Sequence, residues 1–434
     1  MTEGQDTQAR VVSTAASPPP GITALPFVSA AGFASMASIR LADPMLPAMA
    51  RDFGTQPADV SGAITFFALA YGLMQLAWGP LGDRLGKLRV IGTATIAATL
   101  GSIACALAPN LLSLELARLL TGVFCAAIIP MSIAWVGDVV PLDQRQATLA
   151  RLSTGTITGM IVGQVAGGLL ADWVSWRAAF ALMAIVFLPA GLMVLRMHRR
   201  IGTPARSSAA GAPGRLQAFR LIMARPAARV VLLTALIEGA VLFAAMALIP
   251  TWLHEFTGMS LGQAGMAMAA MGIGGLLYSG FARRWISTLG ERRMVRLGAS
   301  LITVSFLALV GGMTLAVHLQ APEGSLVVVL VAGACCAVYG LGMYMAHNTL
   351  QTHASQMSED HRATAVGLFA VSLFMGQSAG VPLWAEVHSL VGHHVVLIGS
   401  GLVIGAMGWL LSGYLKSHDT ISLRRPAVGH QHSD

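Results

Sequence analysis

The sequence predicts an all-α integral membrane protein, with twelve transmembrane helices in two six-helix bundles. Three observations carry that expectation: composition, the number of long apolar runs, and the placement of basic residues. Of the 434 residues, 55% are hydrophobic and 11% are charged, and the mean hydropathy is +0.69. A soluble domain carries about 25% Asp, Glu, Lys and Arg, so this chain lacks the charge to cover a water-facing surface of its size. That argues against a soluble enzyme, a disordered chain or a nucleic-acid binder. A net charge of +8 in an apolar chain fits basic cytoplasmic loops.

A hydrocarbon core about 30 Å thick takes ~20 apolar residues in a helix. Runs of that kind lie near Ile22–Met49, Val60–Pro80, Val90–Leu107, Leu111–Val136, Ala147–Leu170 and Ala178–Leu195. After a gap come Val230–Trp252, Leu261–Phe281, Met294–Val317, Leu326–Ala346, Ala363–Trp384 and Val395–Leu415. The expected organisation is a disordered tail (1–21), a six-helix bundle (22–197), a basic linker (198–228), a second bundle (229–416) and a disordered tail (417–434). The gap from Arg196 to Arg229 holds eight arginines and no acid, and Leu216–Met223 within it fits a short interfacial helix. The N-terminal stretch does not read as a cleavable signal peptide, because no basic segment immediately precedes the first apolar run, which is too long.

If both termini and the linker face the cytoplasm, 23 of the 27 basic residues fall on that side. The expected location is therefore the bacterial inner membrane, multi-pass, with both ends inside. Cys105, Cys125, Cys335 and Cys336 all lie in apolar runs, which fits small core residues better than disulfides or a zinc site. His393 and His394 fall in an outer loop without further ligands nearby in sequence, so no metal is expected. No cofactor is expected, and no ATP-binding GxxxxGK[ST] loop is present.

The halves resemble each other. Gly163-Gln164-Val165-Ala166-Gly167 returns as Gly376-Gln377-Ser378-Ala379-Gly380. Asp143-Gln144-Arg145 returns as Asp360-His361-Arg362, and Leu46-Pro47 with Asp52-Phe53 returns as Ile249-Pro250 with Glu255-Phe256. These ordered matches, offset by 213, 217 and 203 residues, indicate a parallel six-span repeat, which places a substrate cavity between the halves near the bilayer midplane.

After the second run the chain reads Gly79-Pro80-Leu81-Gly82-Asp83-Arg84-Leu85-Gly86-Lys87-Leu88-Arg89. This resembles the signature loop of the major facilitator superfamily, over a match of roughly residues 22 to 415. The resemblance implies a cytoplasmic gating loop built on Gly79, Gly82, Asp83, Arg84, Gly86, Lys87 and Arg89. The second copy, Gly280 to Arg293, keeps Gly280, Gly290 and the arginines but lacks the aspartate. Arg118-Leu119-Leu120-Thr121-Gly122 and the run Gly155, Gly159, Gly163, Gly167 and Gly168 resemble motifs of the drug:proton antiporter branch. In this chain Gln164 stands where that branch has proline. The glycines equally fit a close helix-packing seam.

An ionisable group inside a span costs roughly 2.5–3.5 kcal/mol on insertion scales, so each needs a reason. Glu238 lies about 12 Å into the seventh run at 1.5 Å per residue, with no basic residue at i±3 or i±4, as for a proton or cationic-substrate site. Glu115 and Arg118, three apart, can share a face, either as a charge relay or as a self-neutralising pair. Arg40 and Asp43 are likewise three apart, and Pro44 disfavours helix at Asp43; they form either a coupling site or an interfacial pair. Gln164 and Gln377 either line the cavity or join helices. His347, near the inner end of the tenth run, reads as an interfacial histidine. The best function is a secondary transporter, not an enzyme, exporting small hydrophobic compounds against inward protons by alternating access. The expected partners are a small-molecule substrate, protons and the lipid bilayer, without nucleic acid and as a monomer. A proton symporter or exporter of a sugar or other metabolite is the alternative within transport. A non-transporting receptor or channel is the alternative outside it.

Overall fold

The computed structural model describes residues 23–202, 215–358 and 361–422. The two expected tails (apart from 417–422), the middle of the linker and Asp360 lie outside the described residues. Among the described residues, eleven helical stretches are long and apolar enough to cross a membrane. Spans one to six are Leu25–Phe53, Pro57–Leu85, Lys87–Ala106, Leu111–Val139, Gln144–Trp173 and Trp176–Ile201. Span seven is Pro226–Thr257; spans ten to twelve are Leu326–Gln356, Arg362–Val391 and His393–Tyr414. The stretch between, Leu261–His318, has 58 residues, or about 87 Å at 1.5 Å per residue. That is nearly three bilayer cores. It turns at Gly290, whose φ is +71° and ψ 160°, so it comprises spans eight and nine and brings the total to twelve. The break between spans two and three sits on Gly86, with φ +91° and ψ 129°. Both turns need positive φ, which only glycine adopts without strain.

The helices exceed the apolar runs mostly at the end of the bundle that carries Gly86, Gly290 and both ends of the linker, called here the linker end. Propagating a formed helix by a turn costs little, and the last helix accordingly continues to Ser422, beyond the expected boundary at 416. The linker contributes a helix, Arg215–Ala224, which buries Ala218 and Ile222 one turn apart. Ile222 packs with Ala228, Leu350 and Ala365 in an apolar cluster, and Arg225 donates to the Met357 carbonyl at 2.6 Å.

The opening helix of each half departs from regular geometry. Span one ends its first helix at Arg40, makes a 3₁₀ turn over Asp43–Met45 and resumes at Leu46. Span seven passes through a π turn at Gly239–Phe243, directly after Glu238. Arg40 and Phe243 are separated by the repeat offset of 203, so the π turn matches residues 36–40, just before the 3₁₀ turn of span one. Pro44 marks the first irregularity in the sequence; the second carries only Gly239, the opening residue of the π turn.

Within each half, the opening helix packs on the glycine face of its fifth. A Cβ on Gly159, Gly163 or Gly167 would lie 2.2, 2.5 or 2.1 Å from a span-one carbonyl oxygen. In the second half, a Cβ on Gly376 or Gly380 would lie 2.0 or 2.1 Å from the Leu236 or Ala240 carbonyl. The halves meet along spans five and eight and along spans two and eleven. At the far end, opposite the linker, Asp172 accepts hydrogen bonds from the Leu261 and Gly262 amides at 3.1 and 2.7 Å. A carboxylate from span five thereby caps the amides that open span eight, where the helix dipole favours negative charge.

Candidate functional site

Midway through the bundle, the breaks in spans one and seven bring the expensive residues together. Arg40, Asp43, Arg118, Gln164, Glu238 and Gln377 are each at most 3% exposed. In the first half, Arg40 Nη1 stands 3.5 Å from Asp43 Oδ2, and Gln164 Nε2 donates to the same oxygen at 3.0 Å. The 3₁₀ turn aims Asp43 inward beside Gln164 of span five. Asp43 Oδ1 and Arg40 Nε have no hydrogen-bond partner among the described residues. A buried polar atom without a partner costs about 1–3 kcal/mol, so the cluster retains capacity for a ligand or a proton.

In the second half, His347 Nδ1 lies 3.2 Å from both Glu238 carboxylate oxygens. This corrects two expectations. Glu238 is partnered, by a residue of span ten that sequence spacing does not connect to it. His347 is a buried-site residue and not an isolated interfacial histidine. Its ring lies 5.6 Å from that of Phe243 and 5.7 Å from that of Phe369. Phe243 also faces Arg40, whose guanidinium carbon is 5.6 Å from the ring centroid. One aromatic ring, placed by the π turn, thus stands between the charged set of the first half and the carboxylate–imidazole pair of the second. Tyr339 fixes that turn by donating to the Leu242 carbonyl at 3.1 Å.

Arg118 takes a different place from the expected one. Its Nε donates to the Ala63 carbonyl at 2.9 Å and its Nη1 to the Ser38 carbonyl at 3.1 Å. Its guanidinium carbon sits 4.2 Å above the Phe67 ring. No Glu115–Arg118 ion pair forms among the described residues. Glu115 folds over Gly62, where a Cβ would meet its carboxylate. A desolvated guanidinium has five donors to satisfy, and two neighbouring helices offer carbonyls in reach. Arg118 therefore ties spans two and four to span one, five residues before Asp43.

Gln164 and Gln377, matched in the repeat, both leave Oε1 without a partner among the described residues, and Gln164 donates its Nε2 to Asp43. The wall between the halves is apolar and rich in methionine. Met36 and Met160 of the first half pack with Met246, Met271 and Tyr339 of the second. At the linker end, Lys87 makes an ion pair with Asp138 at the end of span four and stands 3.7 Å from Asp83. Gly82 receives the Met131 sulfur, which would lie 2.4 Å from a Cβ there. Gly79 is half-buried, and Arg84 and Arg89 are exposed. Arg145 donates to the Gly137 carbonyl at 2.6 Å; it closes the same corner.

The family model described as Major Facilitator Superfamily matches residues 28–381. A protein of Escherichia fergusonii with the provisional name multidrug resistance protein MdtD is 33% identical over 148 residues, 34% of this chain and 31% of that protein. The MdtD of Escherichia coli K12 gives the same identity and coverage. The chain therefore matches about a third of the length of these relatives. Among solved structures, a bacterial homologue of the human lysosomal transporter Spinster, inward-facing and unoccupied, is similar at a TM-score of 0.65 and 17% identity. That likeness covers 92% of this chain and 98% of the other. A point mutant of the nucleoside transporter NupG is similar at 0.70 and 13% identity, over 92% and 99%. At these identities the structures bear on the fold alone. Twelve spans in two repeated halves, a buried polar site where the halves meet and a family match across most of the chain agree: the chain is a multi-pass membrane protein belonging to the major facilitator superfamily of transporters.

Proposed function

We propose that the protein is a proton-coupled exporter of small hydrophobic compounds, working by alternating access in an inner membrane with both termini cytoplasmic. The observation that carries this reading is the pairing across one aromatic ring of two buried acid sites, Asp43 with Arg40 and Gln164, and Glu238 with His347. Exchange of proton for substrate needs a buried carboxylate whose partners differ between two states. Glu238 and His347 can hold one shared proton, and Phe243 links their position to Arg40. A hydrophobic substrate entering the methionine-lined wall displaces packing around Phe243. That displacement favours loss of the proton shared by Glu238 and His347, and a proton taken up from the other side restores it once the substrate has left. Methionine side chains adapt to varied apolar shapes, which favours a broad hydrophobic substrate class. The resistance name of the MdtD relatives points the same way.

A ligand drives the switch only through its differential affinity for the two states. The Asp172 cap closes the far end in the present state. With the linker inside, the far end is extracellular, so this state receives substrate and releases protons inside. The loop at Asp83 and Lys87 would lock the linker end in the other state. The test is uptake of a fluorescent hydrophobic dye into inverted vesicles under an imposed pH gradient. Glu238→Gln should abolish gradient-driven uptake while the protein still inserts, and His347→Gln should shift its pH profile. Unchanged coupling in Glu238→Gln would reject the role of Glu238. Gradient-driven loss of preloaded sugars or nucleosides, without dye uptake, would favour the metabolite-carrier reading.

A further inference from the structure

At the far end, three side chains from three spans of the second half converge. His388 comes from the last turn of span eleven. Gly392, with φ +84°, reverses the chain, and His393 opens span twelve. Glu255 reaches over from the last turn of span seven. His388 Nε2 lies 3.1 Å from His393 Nε2, and each is 4.0 Å from Glu255 Oε2. One ligand atom from each residue fits within 4.8 Å of the others. Tetrahedral ligands at about 2.0–2.2 Å from a zinc ion stand about 3.3–3.6 Å apart, close to the distances from Glu255; His388 Nε2 also makes a closer contact with His393 Nδ1, so the His393 ring must turn to present one nitrogen to an ion. Two imidazole nitrogens this close either share one proton in a hydrogen bond or turn their lone pairs to a common cation. We propose that Glu255, His388 and His393 form a binding site for a divalent first-row transition ion of the zinc class, with one coordination position open.

The surroundings fit the assignment. The side chains of His388, His393 and Glu255 are 30%, 21% and 30% exposed, which leaves room for a solvent or anion ligand in the open position. Trp252 and Phe256, stacked at 5.6 Å, wall the His393 ring. His394 turns away, with Nε2 3.1 Å from the Thr314 hydroxyl, and takes no part. Two imidazoles and one carboxylate suit zinc, copper(II) or nickel(II) better than magnesium or calcium, which prefer oxygen. His388 and His393 also line a cavity reached by Pro57 and Ala58 at the start of span two. By the repeat, this corner corresponds to the one where Asp172 caps span eight. A bound ion would fill the corner that has no equivalent carboxylate cap.

The test is zinc binding to the full-length chain, purified without a histidine tag and carrying His430→Ala and His432→Ala to remove tail ligands. Titration against a colorimetric zinc chelator should find one tight equivalent. His388→Ala, His393→Ala and Glu255→Gln should each lose it, while His394→Ala keeps it. Magnesium should not compete. As a control for misfolding, the double variant His388→Cys/His393→Cys, loaded with cobalt(II), should bind one equivalent and gain a thiolate-to-metal charge-transfer band. Failure to bind zinc, an equivalent that persists in all three ligand variants, or a monodisperse cysteine variant without the band would overturn the proposal. The experiment measures binding alone, so its result is independent of the transport reading.

Discussion

The two halves share one plan and differ in where they carry charge. The first half places Arg40 and Asp43 at the break in span one. The second places Phe243 and Met246 at the same repeat positions and moves its acid to Glu238, eight residues before Met246. At the linker end, Lys87 follows the turning glycine of the first half and pairs with Asp138. In the second half Glu291 follows Gly290 and pairs with His353 at 3.1 Å. The polarity is reversed, and a permanent cation is replaced by one that exists only when imidazole is protonated. At the far end, Asp172 joins spans five and eight. The matching corner of spans two and eleven has instead a cavity beside His388 and His393. The glycine seams, which carry no charge, are the same in both halves. Packing geometry has been preserved across the repeat while the electrostatics diverged, as expected if packing builds the fold and the charges set the differences between states.

The largest effect should come from breaking the charge that only the first half carries. Arg40→Ala leaves Asp43 buried without its cation, a loss of about 3–5 kcal/mol for a broken buried pair. Phe243→Ala, at the matching position, should cost less in stability if its main role is coupling. Thermal unfolding in detergent compares the two, and Arg40→Ala/Asp43→Asn should recover part of the loss. Equal destabilisation by Arg40→Ala and the double variant would mean that the pair contributes nothing. Next, Asp172→Ala removes two charge-assisted amide bonds of about 1.5–3 kcal/mol each to a charged group. Thiol labelling of Ala171→Cys from the outside should then speed up, and no change would show that the cap does not hold the far end shut.

Gly163→Ala and Gly376→Ala sharpen the likeness of the seams. Each pushes a methyl against a carbonyl, so each should destabilise by about 1–3 kcal/mol, and by similar amounts. A large effect of one alone would show that the seams are not equivalent. The smallest effects belong to the exposed pairs, worth about 0–1 kcal/mol. Asp138→Asn should slow transport, and Glu291→Gln should slow it less, because the lysine of the first pair is a permanent cation and the imidazole of the second is not. A rate measurement on both variants checks the contrast, and an equal or larger effect of Glu291→Gln would remove it.

The span count was legible because twenty apolar residues in lipid have one way to satisfy their backbone, as helix. The repeat was legible because Gly-Gln-x-Ala-Gly and the turning glycines recur in order. The buried polar residues were individually legible, since an ionisable group in an apolar run stands out. Their partners were not. Glu238 meets His347 across 109 residues, and Gln164 meets Asp43 across 121. Periodicity relates residues within one helix and says nothing about which faces oppose. For the same reason Arg118 was matched with Glu115, its neighbour in sequence, when two backbone carbonyls on other helices were better placed. His393 lacked ligands in its own loop and found Glu255 and His388 in space. The sequence by itself determined the number of helices, their repeat and the cost of each buried charge, because hydrophobicity and local geometry are properties of short stretches. Only the tertiary structure decided how those charges are paired, because electrostatic partners depend on the distance between helices and not on their separation along the chain.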